Sequence, residues 1–182
     1  KYLKSLEATK SIFLVTNGQE PDMIQKLQDE DALPTQLYLS TNAADYESFL
    51  RINKPKYDDS WERWNRTLDM LKDLDTRTVL RITLIRNYND QKEMIPAFAE
   101  MFRKASPHFI EIKSYMHIGR STNRLEHENM LEMEEVKKFS EQIAKESKIF
   151  SIMDESLVSR ISILQNNERF IDRWIPTYAN TN

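Results

Sequence analysis

Short β-rich runs alternate with longer helix-patterned stretches through most of this chain, and no other feature limits its fold as tightly. The runs are "SIFLVTNG" (11–18), "QLYLSTN" (36–42), "TVLRITLIR" (78–86) and "HFIEIKSYM" (108–116). Between them lie helix patterns. Residues 21–31 open on Pro21 and carry Ile24 and Leu27 on one face. Residues 44–53 stop before Pro55. In 58–74, Trp61, Trp64, Leu68, Leu71 and Leu74 recur at three- and four-residue spacing behind an acidic first turn, Asp58 and Asp59. Residues 92–105 line up Phe98, Met101, Phe102 and Ala105, and 134–146 line up Val136, Phe139 and Ile143 after a polar loop at 117–133.

Parallel strands need long crossovers, so this order predicts parallel βα units. The end differs: "KIFSIMD" (148–154) and "SRISILQ" (159–165) are too close for a helix between them and predict an antiparallel pair. The expected architecture is α/β, one domain over residues 1–182, with about four βα units and a closing hairpin. That is a partial barrel or open sheet rather than a complete eight-fold barrel.

Strand side chains alternate faces. Leu37 and Leu39, then Leu80, Ile82 and Leu84, then Ile110, Ile112 and Met116 form the apolar face that meets the helices. The other face carries Ser40, Asn42, Arg81, Thr83, Glu111, Lys113, Tyr115 and His117. A sheet covered on both faces would be apolar on both. These residues therefore predict a polar surface, and βα folds place their chemistry at strand C-terminal ends. Two readings stay open: a ligand site, or a structural network of Arg81, Glu111 and Lys113.

The chain lacks cysteine, which excludes disulfides, thiolate zinc sites, cysteine nucleophiles and clusters held by its own thiolates. With Gly18 and Gly119 its only glycines, it has no glycine-rich phosphate loop. A net charge of −3 predicts no strongly basic nucleic-acid binder, though a local basic patch is compatible with it. No apolar run approaches the ~18–20 residues of a membrane span, and no signal-peptide pattern opens the chain, so a cytoplasmic protein without membrane contact is expected. Lys1 in place of Met, on a helix-like start, predicts a fragment or processed chain. His108 and His127 lack partners at metal-ligand spacing, so no metal site is expected. Trp61 and Trp64 read as core. Arg120, Arg124 and Lys113 suggest a small anion site.

Taken in order, "TNG", "PTQLYLS", "RTVLRITLIRNYND", "FIEIKSYMHIGRSTNRL" with "ENML", and "SRISILQN" resemble the C-terminal two-thirds of the radical S-adenosylmethionine (radical-SAM) tRNA 4-demethylwyosine synthases of wybutosine biosynthesis, in their archaeal form. The resemblance covers nearly the whole chain. It implies a partial barrel of the radical-SAM type with N-terminal βα units missing, closing on a short antiparallel strand pair. It also implies a lyase that binds a [4Fe–4S] cluster and S-adenosylmethionine. That family joins the N1-methyl group of guanosine 37 in tRNA-Phe to two carbons of pyruvate. The cofactor supplies the radical chemistry and the protein orients it.

By that resemblance Thr16, Asn17, Ser40 and Asn42 contact the adenosine ribose or methionine carboxylate, and Arg81, Thr83 and Tyr115 line the cofactor site. Lys113 is the catalytic candidate, holding pyruvate as an anion or as a Schiff base. Arg120, Ser121 and Arg124 approach tRNA phosphates. The family's CxxxCxxC motif and a glycine-rich strand end are absent. Asn42 stands where many relatives are acidic, and Met133 where a polar residue is usual. A fragment of this kind is expected to bind neither cluster nor cofactor alone, to be inactive, and to self-associate through an unpaired edge at "SIFLVTNG". The alternatives are another radical-SAM enzyme, such as a glycyl-radical activase, and a non-catalytic tRNA-binding or interaction module.

Overall fold

A computed structural model describes residues 1–175 of the chain. Six strands form one sheet in the order β1-β2-β3-β4-β6-β5. β1 (Phe13–Thr16), β2 (Gln36–Thr41), β3 (Arg77–Leu84) and β4 (Phe109–Ser114) are mutually parallel. β6 (Ile161–Asn166) runs antiparallel to β4, and β5 (Phe150–Ser156) runs antiparallel to β6. The alternation and the closing hairpin of the sequence are thus present. Among the described residues the sheet stays open, with β1 and β5 as its edges.

The helices start and stop on local chemistry. Pro21 begins α1 (Pro21–Asp29), where a missing N–H costs nothing. Asp45 caps α2 (Tyr46–Asn53) by accepting from the Ser48 N–H at 2.8 Å, and Lys54 ends it with φ +46°. α3 (Ser60–Met70) is shorter than the 58–74 pattern, yet Leu71 and Leu74 beyond its end remain buried. A 3-10 turn at Lys92–Met94 leads into α4 (Ile95–Ala105), and a Glu132–Glu135 capping box opens α5 (Met133–Ser147).

All five helices contribute to one apolar cluster with Leu37, Leu39, Leu80, Ile82, Leu84, Ile110, Ile112 and Leu164 of the strands. Fully buried Trp64, Phe98 and Phe102 are its largest members. This is the expected helix-facing side. On the opposite side Val79 and Phe109 are also buried, outside that cluster. They share a cavity of about 180 Å³ with Met153, Ile163 and Ile175 near the N-terminal ends of the strands. Arg77 ties the 172–173 segment there, donating to the Asp172 carbonyl at 2.5 Å and the Arg173 carbonyl at 3.1 Å. One half of the second face is therefore covered. The polar half, toward the strand C-terminal ends, holds the candidate site.

Candidate site at the C-terminal ends of the parallel strands

The turn after β1 is built around Gly18, whose φ is +76°. A Cβ there would lie 2.7 Å from a Leu39 methyl and 3.0 Å from the Trp64 ring. Only glycine fits such an approach at positive φ. Thr16 Oγ1 accepts from the Gly18 N–H, and Asn17 Oδ1 accepts from the Gln19 N–H. The Thr67 hydroxyl donates to the Gly18 carbonyl at 2.8 Å, which locks the turn to α3.

Asn17, Ser40 and Asn42 line one cavity of about 420 Å³, together with Gln19, Lys56 and Tyr57. Three residues singled out in the sequence thus meet across two strand ends. Gln19 was not among them. Its Nε2 donates to the Ser60 carbonyl, while its buried Oε1 has no hydrogen-bond partner among the described residues. A buried acceptor left without a donor, on a residue that lines a polar cavity, suits a hydroxyl or ammonium donor. Lys56 adds a cation with no ion-pair partner among the described residues. Thr16 is half-buried in the turn and is not part of the cavity lining.

Asn42 is also a brace. Its Oδ1 accepts from the Thr83 N–H at 3.2 Å, and its Nδ2 donates to Asn53 Oδ1 at 3.2 Å. Fully buried Asn89 completes the brace: its Nδ2 donates to the carbonyls of Asn42 and Thr83, both at 2.9 Å, and its Oδ1 accepts from the Ile85 N–H at 2.7 Å. One side chain thereby ties the ends of β2 and β3.

Across the β3–β4 ladder Arg81 pairs with Glu111, and Thr83 pairs with Lys113. Arg81 grips Glu111 with Nε–Oε1 at 2.7 Å and Nη2–Oε2 at 3.3 Å, and its guanidinium stacks on Tyr38 at 4.4 Å. Burial pushes the Tyr38 phenol up, and the Glu111 charge adds to that. The structural-network reading therefore holds for Arg81 and Glu111 but not for Lys113. The half-buried Lys113 side chain has no hydrogen-bond or ion-pair partner among the described residues.

Tyr115 corrects the alternation. Periodicity puts it beside Glu111 and Lys113 on the polar face, but it is buried within the apolar cluster. β4 ends at Ser114, and the Tyr115 N–H donates instead to the Leu84 carbonyl at 2.7 Å. Strand periodicity stops there, so Tyr115 turns inward and Met116 turns outward. The Tyr115 hydroxyl meets His117 Nδ1 at 3.1 Å. Arg120 and Ser121 sit on the exposed 3-10 turn Gly119–Asn123, where the Ser121 hydroxyl donates to the Ile118 carbonyl. Arg124, just beyond, shares a separate cleft with Arg51 and Lys54, two cations the sequence pattern did not single out. Among the described residues, no cluster of three or more His, Cys, Asp or Glu side chains could hold a metal, and no helix is long and apolar enough to cross a membrane.

A family profile described as Wyosine base formation matches residues 104–166. The S-adenosyl-L-methionine-dependent tRNA 4-demethylwyosine synthase of Methanocaldococcus jannaschii is 43% identical over 162 residues, covering 88% of this chain and 48% of that protein. The synthase of the same name from Pyrococcus abyssi is 38% identical over 156 residues, covering 86% and 45%. A solved structure described as "Structure of TYW1 with a lysine-pyruvate adduct bound" superposes with a TM-score of 0.76 at 42% identity, covering 87% of this chain and 48% of that one. A second, "Crystal structure of archaeal TYW1", gives 0.69 at 36% identity, covering 87% and 47%. The chain spans about half the length of these relatives.

Proposed function

From its kinship with the tRNA 4-demethylwyosine synthases, we propose that this chain forms part of an enzyme of wybutosine biosynthesis. Its reaction converts N1-methylguanosine-37 of tRNA-Phe to 4-demethylwyosine with pyruvate, on a partial radical-SAM barrel. The observation that carries the proposal is identity of 38–43% to the archaeal synthases over nearly nine-tenths of the chain. The open polar half of the sheet, at the strand ends where βα folds place their sites, supports it.

The residues of the larger cavity suit part of S-adenosylmethionine. Gln19 Oε1 and the Ser40 and Asn17 side chains offer partners for ribose hydroxyls, and Lys56 offers a cation for the carboxylate. S-adenosylmethionine would supply the radical that abstracts hydrogen from the methyl group. A [4Fe–4S] cluster finds no ligand here, because the chain has no cysteine. By itself this chain is accordingly expected to be inactive.

Lys113 is the residue we assign to pyruvate. Its amine faces the polar side of the sheet, beside Thr83 and free of the Arg81–Glu111 pair. It can attack the pyruvate ketone, with loss of water, to hold the substrate as an imine. A lysine–pyruvate adduct is described for one structural relative. We also assign the β1 edge, which exposes Phe13 and Val15, to pairing with a further strand.

The test is turnover by the full-length protein. After anaerobic cluster reconstitution it is supplied with S-adenosylmethionine, pyruvate and tRNA-Phe carrying N1-methylguanosine-37. Nucleoside mass spectrometry should reveal 4-demethylwyosine. Intact N1-methylguanosine, with the cluster verified, would overturn the proposal.

A further inference from the structure

We propose that Arg51, Lys54 and Arg124 form a clamp for a backbone phosphate of the RNA substrate, beside the cofactor cavity. The inference rests on the RNA-modifying function proposed above and adds a site to it. The three cations line a cleft of about 70 Å³ together with Ile85 and Leu125, and no carboxylate lines it. Three cations and no acidic side chain make the cleft suited to an anion.

The arms of the clamp come from two parts of the chain. Arg51 and Lys54 lie at the end of α2, where cations complement the helix dipole whatever else they do. Arg124 arrives from beyond the Gly119–Asn123 turn and has no such reason to be there. Neither Lys54 nor Arg124 has a side-chain hydrogen bond or ion pair among the described residues. Arg51 is set in place: its Nη2 donates to the Tyr88 carbonyl at 2.8 Å, and its guanidinium lies 5.8 Å from the centre of the Tyr88 ring. Its remaining N–H groups stay available to a phosphate oxygen.

Position argues for a polymer. Lys54 lines both this cleft and the larger cavity, so a bound phosphate would sit next to the place assigned to the cofactor. A strand threading past the site would put one phosphate in the clamp beside that cavity.

The test uses the full-length protein and a variant with Arg51→Gln, Lys54→Gln and Arg124→Gln together. Fluorescence anisotropy with a labelled tRNA-Phe anticodon stem–loop, across a salt series, reads affinity and its salt dependence. The variant should bind about tenfold more weakly at low salt, and its log–log salt slope should flatten by about 1, the signature of one lost phosphate contact. Lys138→Gln, on the exposed side of α5, should match the wild type. An unchanged slope and affinity in a triple variant that melts normally would overturn the clamp and leave the proposed function standing. Failure of the wild type itself to bind the stem–loop would overturn both. Calorimetry with inorganic phosphate separates a free-anion site: phosphate binding lost in the variant, with RNA affinity unchanged, would refute the RNA assignment.

Discussion

Arg81 and Glu111 stand opposite each other on neighbouring parallel strands and close a two-pronged ion pair, with Nε–Oε1 at 2.7 Å, their side chains 28% and 10% exposed. The pair fixes the centre of the polar face and leaves Lys113, two residues along the same strand, without a carboxylate. Removing either partner strands a charge. Glu111→Ala and Arg81→Ala should each cost about 2–4 kcal/mol in urea unfolding, somewhat below the figure for fully buried pairs. The double variant should cost less than the sum, with a coupling of about 1–3 kcal/mol. Simple additivity would show that the pair is worth nothing to the fold.

Lys113 should behave in the opposite way. Lys113→Arg keeps the charge but removes the primary amine, so stability should move by less than about 1 kcal/mol while turnover falls at least about a hundredfold. Borohydride reduction in the presence of pyruvate should add a mass to the wild-type peptide containing Lys113, and none to the variant. A variant that turns over normally would exclude Lys113 from the chemistry.

Gly18 permits no side chain. Gly18→Ala must hold alanine at φ +76° and push its Cβ against buried Leu39. The left-handed conformation costs about 1–2 kcal/mol and the overlap a further ~1–3 kcal/mol. A fall in melting temperature of about 4–20 °C is expected for a loss of that size. Calorimetry reads it directly.

His108 makes the protein sensitive to mild acid. Its Nδ1 accepts from the Thr78 N–H at 3.1 Å. Burial, with smaller contributions from Arg169 and Arg77, lowers its pKa from 6.5 to about 4. The unfolded chain takes up this proton first. The stability His108 contributes is therefore complete above pH 6.5 and is lost as pH falls from 6.5 to about 4. With discounting for solvent screening, the loss is on the order of 1–2 kcal/mol. His108→Asn keeps an acceptor and does not titrate, so the wild-type and variant stability curves should converge toward pH 4. Parallel curves would show that His108 titrates alike in the folded and unfolded states, and would overturn the prediction.

The sequence pattern located the elements whose information is local. Leu80, Ile82 and Leu84 announced a strand covered on one side, and the short gap before Ile161 announced an antiparallel return. It also put Ser40 and Asn42 on one polar face, and both line one cavity, because strand ends in a parallel sheet share a side; Asn17, which joins them there, was singled out by the resemblance alone. It misplaced Tyr115, because alternation carries no mark of where a strand stops. Asn89, Gln19 and Arg51 were out of reach for a different reason. Each acts on residues far along the chain, and an Asn in a turn or an Arg at a helix end looks ordinary until the fold supplies its neighbours.

Asn89 has a mechanical consequence. Its carboxamide engages the ends of β2 and β3 together, so neither strand end can be displaced without breaking bonds to the other. The cavity and the cleft that share Lys54 border this junction. Opening either one at this junction would therefore disturb bonds that the other also borders. The Thr83 and Ile85 amides, which donate to Asn42 and Asn89, should exchange with solvent as a single cooperative unit.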